Sequence, residues 1–401
     1  MTKLFDITGK TISGEWGSND DDKTGIPVIR TTNFTNEGNI DYSNVVTRKI
    51  KKNNIEKKFL KYGDIIIEKS GGSDNQPVGR VVYFDNKDGK YLFNNFTGLL
   101  RVKDTSKWNS RYVFWSLFAS YKQGKTKMYQ NKTTGLHNLR TDAYVKDLNI
   151  KDLSFKSQVN ISNILDKARK EIELRKEELA KLDTLIKARF VEMFGTTNDN
   201  IFNYPVVRLG ECVSLQGGYA FKSKDFVDNG IKLVQIGNVN KDYLDWKTVN
   251  RVPKDFVNVY KDFQLKENDL LIALTRPIIK SIHSVKLAKV SKSDLPCLLN
   301  QRVGRFIILK RLNPYFLEQL CKMDDFRYYV EQMSSNSLQP NISGKQVEEY
   351  KIILPPIELQ NEFASFVQQV DKSKVVNASI MKYIISIRFY LYFKENKEGA
   401  R

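Results

Sequence analysis

Cysteine and histidine are scarce in this chain of 401 residues, which has three cysteines (Cys212, Cys297, Cys321) and two histidines (His137, His283). An odd number of widely spaced thiols builds neither a disulfide framework nor a zinc site, and it suits a reducing compartment. Two histidines in unrelated contexts leave little room for acid–base work by imidazole. No stretch approaches the roughly 18 uncharged apolar residues that a membrane-spanning helix needs. The opening Met1-Thr2-Lys3-Leu4-Phe5-Asp6 lacks the apolar core of a secretory signal. A cytoplasmic, bacterial protein is expected, with two to three domains on length alone.

Catalytic signatures are missing as well. A methyltransferase needs a Gly-rich loop after a strand and an Asp/Asn-Pro-Pro-Tyr/Phe loop. Asn313-Pro314-Tyr315-Phe316 lacks the paired proline and reads as a turn that starts a helix. A phosphate-cradling Gly-x4-Gly-Lys-Ser/Thr loop needs two glycines. Gly124-Lys125-Thr126 supplies its tail, but Ala119 stands where the first glycine belongs. A metal-dependent nuclease wants an acid followed by Glu-x-Lys on the next strand. Asp64…Glu68-Lys69 has the wrong spacing for that, and Asp269…Ala273-Leu274, its counterpart below, lacks the second acid. No catalytic residue and no metal site are expected.

Positive charge, by contrast, is plentiful. Lys and Arg number 65 against 46 Asp and Glu, a formal net charge of +19. So basic a compact chain repels itself unless something neutralises it, and polyphosphate is the usual candidate. Charge alone does not separate DNA from RNA or anionic lipid, and solvated lysine faces would give the same sum. With 41% hydrophobic and 28% charged residues the chain builds ordinary cores and is not disordered.

The chain is a tandem repeat. Leu60-Lys61-Tyr62-Gly63-Asp64-Ile65-Ile66-Ile67 is echoed by Leu265-Lys266-Glu267-Asn268-Asp269-Leu270-Leu271-Ile272, an offset of 205. Gly25-Ile26-Pro27-Val28-Ile29 and Gly230-Ile231-Lys232-Leu233-Val234 share that offset, as do Asp166-Lys167 and Asp371-Lys372. Asn94 and Gly98 return as Asn300 and Gly304, at 206. Four ordered matches at a near-constant offset indicate internal duplication. Each copy opens with about 150 residues of short apolar runs broken by Gly, Asn and Asp, which read as strands and turns. Asp64–Ile67, Val78–Phe84, Gly98–Val102 and Val303–Leu309 are examples.

A long helical pattern closes each copy. The first runs from about Gln158 to Phe194 and stops at Gly195, a good terminator. Leu165, Ile172, Leu179, Ile186 and Met193 recur every seventh residue, with Ala168 and Leu182 between them: a coiled-coil seam. At ~1.5 Å per residue this helix is on the order of 55 Å long. The second pattern follows Pro355-Pro356 and runs to about Lys394, with Phe363, Val370, Ile384 and Leu391 at the same spacing. Phe366, Ile380 and Ile387 fill in, and Asn377 interrupts the stripe, where one buried Asn can fix register. A helix packed only on its own domain would show a similar stripe, but both helices are too long for that role. Paired antiparallel, they would hold two globes at opposite ends of a rod with pseudo-twofold symmetry.

Several segments resemble the specificity (S) subunits of type I restriction–modification systems. They are Leu209-Gly210-Glu211-Cys212-Val213, Gly217-Gly218-Tyr219-Ala220-Phe221-Lys222-Ser223-Lys224-Asp225-Phe226, Val234-Gln235-Ile236-Gly237-Asn238-Val239 and Asp269–Arg276. Leu338-Gln339-Pro340-Asn341-Ile342-Ser343, Ile353-Leu354-Pro355-Pro356-Ile357-Glu358-Leu359-Gln360 and Leu182–Phe190 with Met193-Phe194-Gly195 complete the set. The resemblance covers essentially the whole chain, and the second copy matches better. The first begins abruptly, with Leu4-Phe5-Asp6-Ile7 in place of a longer opening.

The resemblance implies an α+β protein: two homologous target-recognition domains separated by two long antiparallel coiled-coil helices. The expected boundaries are residues 1–156 and 196–356 for the domains, and 157–195 and 357–401 for the helices. It implies a non-catalytic subunit whose domains each read half of a bipartite DNA site while the helices set the spacer. Expected DNA contacts in the first copy are Lys69, Ser70, Gly71, Gly72, Arg80, Lys132 and Arg140. In the second they are Tyr219, Lys222, Lys224, Thr275, Arg276, Lys280, Asn336, Gln339 and Asn341. Arg276, directly after a strand, is the leading base reader and Lys280 a phosphate contact. The loops after the matching strands, Ser70-Gly71-Gly72-Ser73 and Pro277-Ile278-Ile279-Lys280, differ, as they should if the copies read different bases. Implied partners are duplex DNA, two modification (methyltransferase) subunits carrying S-adenosylmethionine, and restriction (motor–nuclease) subunits using ATP and Mg. Alternatives are a specificity subunit of a type IIB-like methylating nuclease, a catalytic DNA enzyme, or a coiled-coil scaffold.

Overall fold

Ile65, Ile66 and Ile67 form an unbroken apolar run with no solvent exposure, and such a run makes a strand covered on both faces. The computed structural model describes residues 1–51, 55–73, 76–87, 89–133, 136–196, 199–335 and 337–397. In it Ile65–Glu68 is an inner strand of a four-stranded sheet ordered Ile12–Ser13, Thr97–Leu100, Ile65–Glu68, Val81–Tyr83. Alternate side chains feed two cores. Ile65, Ile67 and Tyr83 join the aromatic helix Ser110–Lys122 on one face, and Ile66, Val82 and Leu99 join Phe84 and Phe93 on the other.

The second copy repeats this arrangement strand for strand. Its four-stranded sheet is Val213–Gly217, Val303–Ile308, Leu270–Ala273, Leu287–Lys289, with all neighbours antiparallel. Each copy also has a three-stranded sheet of the same order: Val46–Arg48, Ile26–Ile29, Leu92–Phe93 in the first, and Arg251–Val252, Ile231–Val234, Cys297–Leu299 in the second. In both, the pairing of the last two strands is parallel. Each copy is closed by pairing its first strand with its last, Thr2–Lys3 with Asn149–Ile150 and Val206–Arg208 with Lys351–Ile353. The short opening of the first copy therefore still makes the strand its counterpart makes.

Matched polar groups hold the copies in the same shape. Asn33 and Asn238, both buried, each accept one backbone N–H (from Arg30 and from Gln235) and donate to two carbonyls across a turn. Asp64 and Asp269 each accept the N–H three residues back, and each pairs with an arginine of the neighbouring strand, Arg101 and Arg305. Gly14 and Gly218 pass so close to the carbonyls of Asn94 and Asn300 that a Cβ would lie 2.2 and 2.3 Å from them.

The helices after each copy are Phe155–Phe194 and Ile357–Lys397. Gly195 ends the first with φ +72 and donates to the Val191 carbonyl, a left-handed terminus that favours glycine. By contacts the chain divides into two units, Met1–Lys176 with Ala378–Arg401, and Glu177–Asn377. Within the second unit the helices run antiparallel: Phe190 and Phe194 meet Phe363 edge-on, with ring centroids 5.4 and 5.7 Å apart, and Asp183 pairs with Lys374 at 2.6 Å. Within the first unit Ile384 lies beside Ala168 and Leu174.

Of the seam residues, Leu165, Ile172, Ile186, Phe363 and Val370 are buried, and Leu179, Met193 and Ile384 are half-buried. The side chain of Leu391 lies outside the described residues. The stripe is more than a helix–helix seam. Leu165 packs into the first module's core, while Ile186, Phe190 and Phe194 pack into the second's. Each helix therefore shares its apolar face between its partner and the module beside it.

Candidate nucleic-acid interface

In an antiparallel sheet, alternate strands leave and return at the same end. In the second module the chain leaves Val213–Gly217 and Leu270–Ala273, and re-joins at Leu287 and Val303, all at one end. That end gathers loops far apart in sequence. The Gly218 N–H donates to the Val303 carbonyl, Gln301 N–H to Tyr219, and Leu274 N–H to Arg302. The segment 334–341 joins them, since the Arg276 N–H donates to Pro340 and the Thr275 hydroxyl donates to Asn341 Oδ1 at 2.6 Å. Asn341 Nδ2 in turn donates to the Gln339 carbonyl. The expected contacts Tyr219, Thr275, Arg276, Gln339 and Asn341 thus share one rim. Thr275 is buried and acts as a brace. Asn336 lies outside the described residues.

Cations crowd this rim. Arg276 is exposed, with its backbone in the left-handed region at φ +49. Lys286, half-buried directly across the sheet from Ala273, lies close enough for Arg276 to depress its pKa; burial is the larger cause and the arginine's charge adds to it. Arg302 is exposed beside Gln301. Lys280 is exposed at the tip of the hairpin Ile278–Ile279/Ser284–Val285. Among the described residues, no carboxylate is seen pairing with any of these four. Lys222 and Lys224 are exposed on the flank, where a recess of about 410 Å³ is lined by Phe221, Gln235, Asn250, Gln301 and Arg302. Tyr219 stands over an aromatic group, with its ring centroid 4.5 Å from that of Tyr260. A basic rim with polar side chains and an exposed aromatic ring suits a phosphate backbone and the base edges beside it.

The matching end of the first module is built differently. Ser70–Gly72 forms a strand that pairs with the hairpin Gln130–Thr133/Leu136–Leu139, so the two sequence-predicted segments of this copy meet. Gly71 has φ +119, a conformation that favours glycine. Lys69 Nζ donates to Ser13 Oγ at 3.2 Å, and burial together with the nearby Lys58 holds its pKa down. Arg140 is exposed and donates to the Met128 carbonyl. The side chain of Lys132 lies outside the described residues. Arg80 turns inward: it forms a two-point pair with Glu68 at 2.8 and 3.0 Å and donates to the carbonyls of Thr31 and Phe34. Four of its five N–H donors are spent inside the module.

The acids that resembled a nuclease site are structural. Asp64 serves Arg101 and Glu68 serves Arg80. Among the described residues no cluster of His, Cys, Asp and Glu could hold a metal ion, and no helix is long and apolar enough to cross a membrane. All three cysteines are buried, and burial raises the Cys297 thiol to about 12, so it carries no thiolate at neutral pH. Asn313 and Pro314 start a helix, with the Asn313 side chain accepting the Tyr315 N–H. Sequence reasoning passed over Lys286, Gln301 and Arg302. The repeat offset that aligns Arg80 with Lys286 was the signal for the first.

A family model described as the type I restriction modification DNA specificity domain matches the chain twice, over residues 2–184 and 203–381. The chain is 31% identical over 218 residues to the type I restriction enzyme MjaVIII specificity subunit of Methanocaldococcus jannaschii, covering 53% of this chain and 51% of that protein. It is 35% identical over 179 residues to the type I restriction enzyme EcoAI specificity subunit of Escherichia coli, covering 44% and 29%. The matches thus span about half or less of these curated relatives. The crystal structure of the S subunit of a type I restriction–modification system from M. genitalium superposes with a TM-score of 0.56 at 14% identity, covering 98% of this chain and 94% of that one. A chain from a structural study of type I system assembly and conformational transition gives 0.53 at 14% identity, covering 98% and 96%. At that identity the two structures show a shared fold.

Proposed function

Since this chain belongs to the type I restriction modification DNA specificity family, we propose that it directs a methyltransferase and nuclease to a bipartite DNA site, each module reading one half. The observation that carries this reading is the unneutralised rim of the second module, where Arg276, Lys280, Lys286 and Arg302 meet at one sheet end. Among the described residues no carboxylate pairs with these four cations, and a duplex supplies one charge per ~1.7 Å of axis.

Phosphate binding sets position and base contacts set sequence. Lys280, Lys286, Lys222 and Lys224 are assigned to phosphates. Arg302 takes base edges, for which the guanidinium fork suits guanine, while Arg276, read from sequence as a base reader, is assigned with Lys286 to the backbone beside them. Gln301, Gln339 and Asn341 offer both donors and acceptors to the remaining edges. In the first module Lys69, Arg140 and the strand Ser70–Gly72 play the corresponding part, with glycines that let the backbone come close.

Chemistry is assigned to partners. Two modification subunits would hold S-adenosylmethionine and methylate an adenine flipped from the duplex, and restriction subunits would use ATP and Mg. This chain would contribute no reacting group, and its long helices would fix the gap between the half-sites. Co-expression with the adjacent methyltransferase and mapping of methylated adenines tests the proposal. A bipartite motif is expected. Methylation without sequence preference, or none that depends on this chain, would reject it.

A further inference from the structure

The inference drawn here rests on the DNA-reading role above and concerns one position in the two sheets. In the first module the strand pairing Ile65–Tyr83, Ile66–Val82, Ile67–Val81 continues to Glu68 opposite Arg80, with the Glu68 N–H donating to the Arg80 carbonyl at 2.8 Å. In the second, the pairing Leu270–Lys289, Leu271–Ala288, Ile272–Leu287 continues to Ala273 opposite Lys286, with the Ala273 N–H donating to the Lys286 carbonyl at 3.1 Å. The third strand agrees, since Thr97 faces Glu68 and Val303 faces Ala273. The two cross-strand pairs therefore occupy the same place in the fold.

Their chemistry differs. In the first module the cation is closed off by a buried carboxylate 2.8 Å away, and the Glu68 side chain is 1% exposed. In the second the carboxylate is replaced by a methyl group, Ala273 is fully buried, and Lys286 remains half-buried, its backbone N–H donating at 2.6 Å to the carbonyl of Pro277, the residue after a second cation, Arg276. Two like charges, the half-buried Lys286 and the exposed Arg276, repel in the empty protein, and an anion seated between them removes that repulsion.

We propose that Lys286 and Arg276 form a seat for a DNA backbone phosphate in the second module, at the position that the first module closes with the Glu68–Arg80 ion pair. The half-sites are then held unequally. The second module takes up a phosphate through its sheet end, while the first relies on the added strand Ser70–Gly72 and its hairpin. A cross-strand carboxylate is the element that switches the seat off.

The purified full-length chain, bound to a duplex carrying its methylation motif, tests this by fluorescence anisotropy over a range of KCl concentrations. Losing one phosphate contact lowers the slope of log K against log salt by about 0.9, or about 3-fold in affinity between 50 and 200 mM. Lys286→Met is expected to show that loss. Ala273→Glu, which rebuilds the first module's ion pair around Lys286, is expected to match it, while the neutral Ala273→Gln keeps the parent slope. Circular dichroism melts confirm that each variant is folded. If a folded Lys286→Met keeps the parent slope, the seat is refuted while the DNA-reading role stands. If the parent chain binds with no dependence on salt, that role fails and the seat fails with it.

Discussion

Asn109 donates its backbone N–H to Oε1 of Gln158 at 2.9 Å. Gln158 is fully buried, sits in the first turn of the long helix, and donates Nε2 to the carbonyls of Lys107 and Leu153. Asn109 in turn caps the helix Ser110–Lys122 through the Tyr112 N–H. One amide thus ties the start of the long helix to the start of the module's main helix. The second copy repeats the tie: Asn313 N–H donates to Gln360 Oε1 at 2.8 Å, and Gln360 donates to the carbonyls of Arg311 and Pro355.

Gln158→Leu removes these bonds and leaves buried backbone groups without partners. A loss on the order of 3 kcal/mol is expected, read as a lower urea midpoint in the first module's transition. Gln360→Leu should do the same to the second. Equal effects of both substitutions on a single transition would show that the modules unfold together.

Acid should weaken the second module through Glu318. Burial would raise its carboxyl pKa, but the ammonium groups of Lys322 and Lys289, at 2.8 and 2.5 Å, prevail and hold it below the ordinary value. A depressed carboxyl contributes stability above its unfolded value, and that contribution fades as pH falls through the folded one. Glu318→Gln is expected to lower stability at pH 7 and to flatten the decline between about pH 5 and 3. Unfolding curves at stepped pH values measure both.

Asn341→Ala should loosen the rim with little effect on the core. The substitution deletes the Thr275 bond at 2.6 Å and the tether to Gln339. About 1 kcal/mol of stability is expected to go. DNA affinity should fall through faster dissociation, seen by stopped-flow, because segment 334–341 must then be ordered on binding.

Four residues inserted in the first long helix add about 6 Å of rise. In methylated DNA the unread gap between half-sites is expected to lengthen while both half-sites stay the same. An altered half-site with an unaltered gap would remove the spacing role from the helices.

The duplication, both long helices and the inner strands were legible because each depends on periodicity or on a repeat offset. Ile65–Ile67 and Leu270–Ile272 reveal themselves as apolar runs, and Gly195 as a stop. The joining of distant loops was not legible. Nothing local to Thr275 announces Asn341, and nothing near Ser70 announces the hairpin ending at Leu139, since both depend on sheet closure. In the sequence Arg80 reads as a surface cation because its partner, Glu68, is twelve residues away on another strand. Lys286 is not legible in the sequence because its setting depends on an absence, the missing carboxylate at Ala273.

The hydrogen bonds between each module's first strand and its last, Thr2–Lys3 with Asn149–Ile150 and Val206–Arg208 with Lys351–Ile353, have a genetic consequence. A module is entered and left through a single doorway. A crossover with breakpoints just outside those strands would carry a whole module across, and the incoming module would have to fit the faces that Leu165, Ile186, Phe190 and Phe194 present to it. On the proposed function, such an exchange would change the target in one event, with no need to pass through intermediates altered one residue at a time.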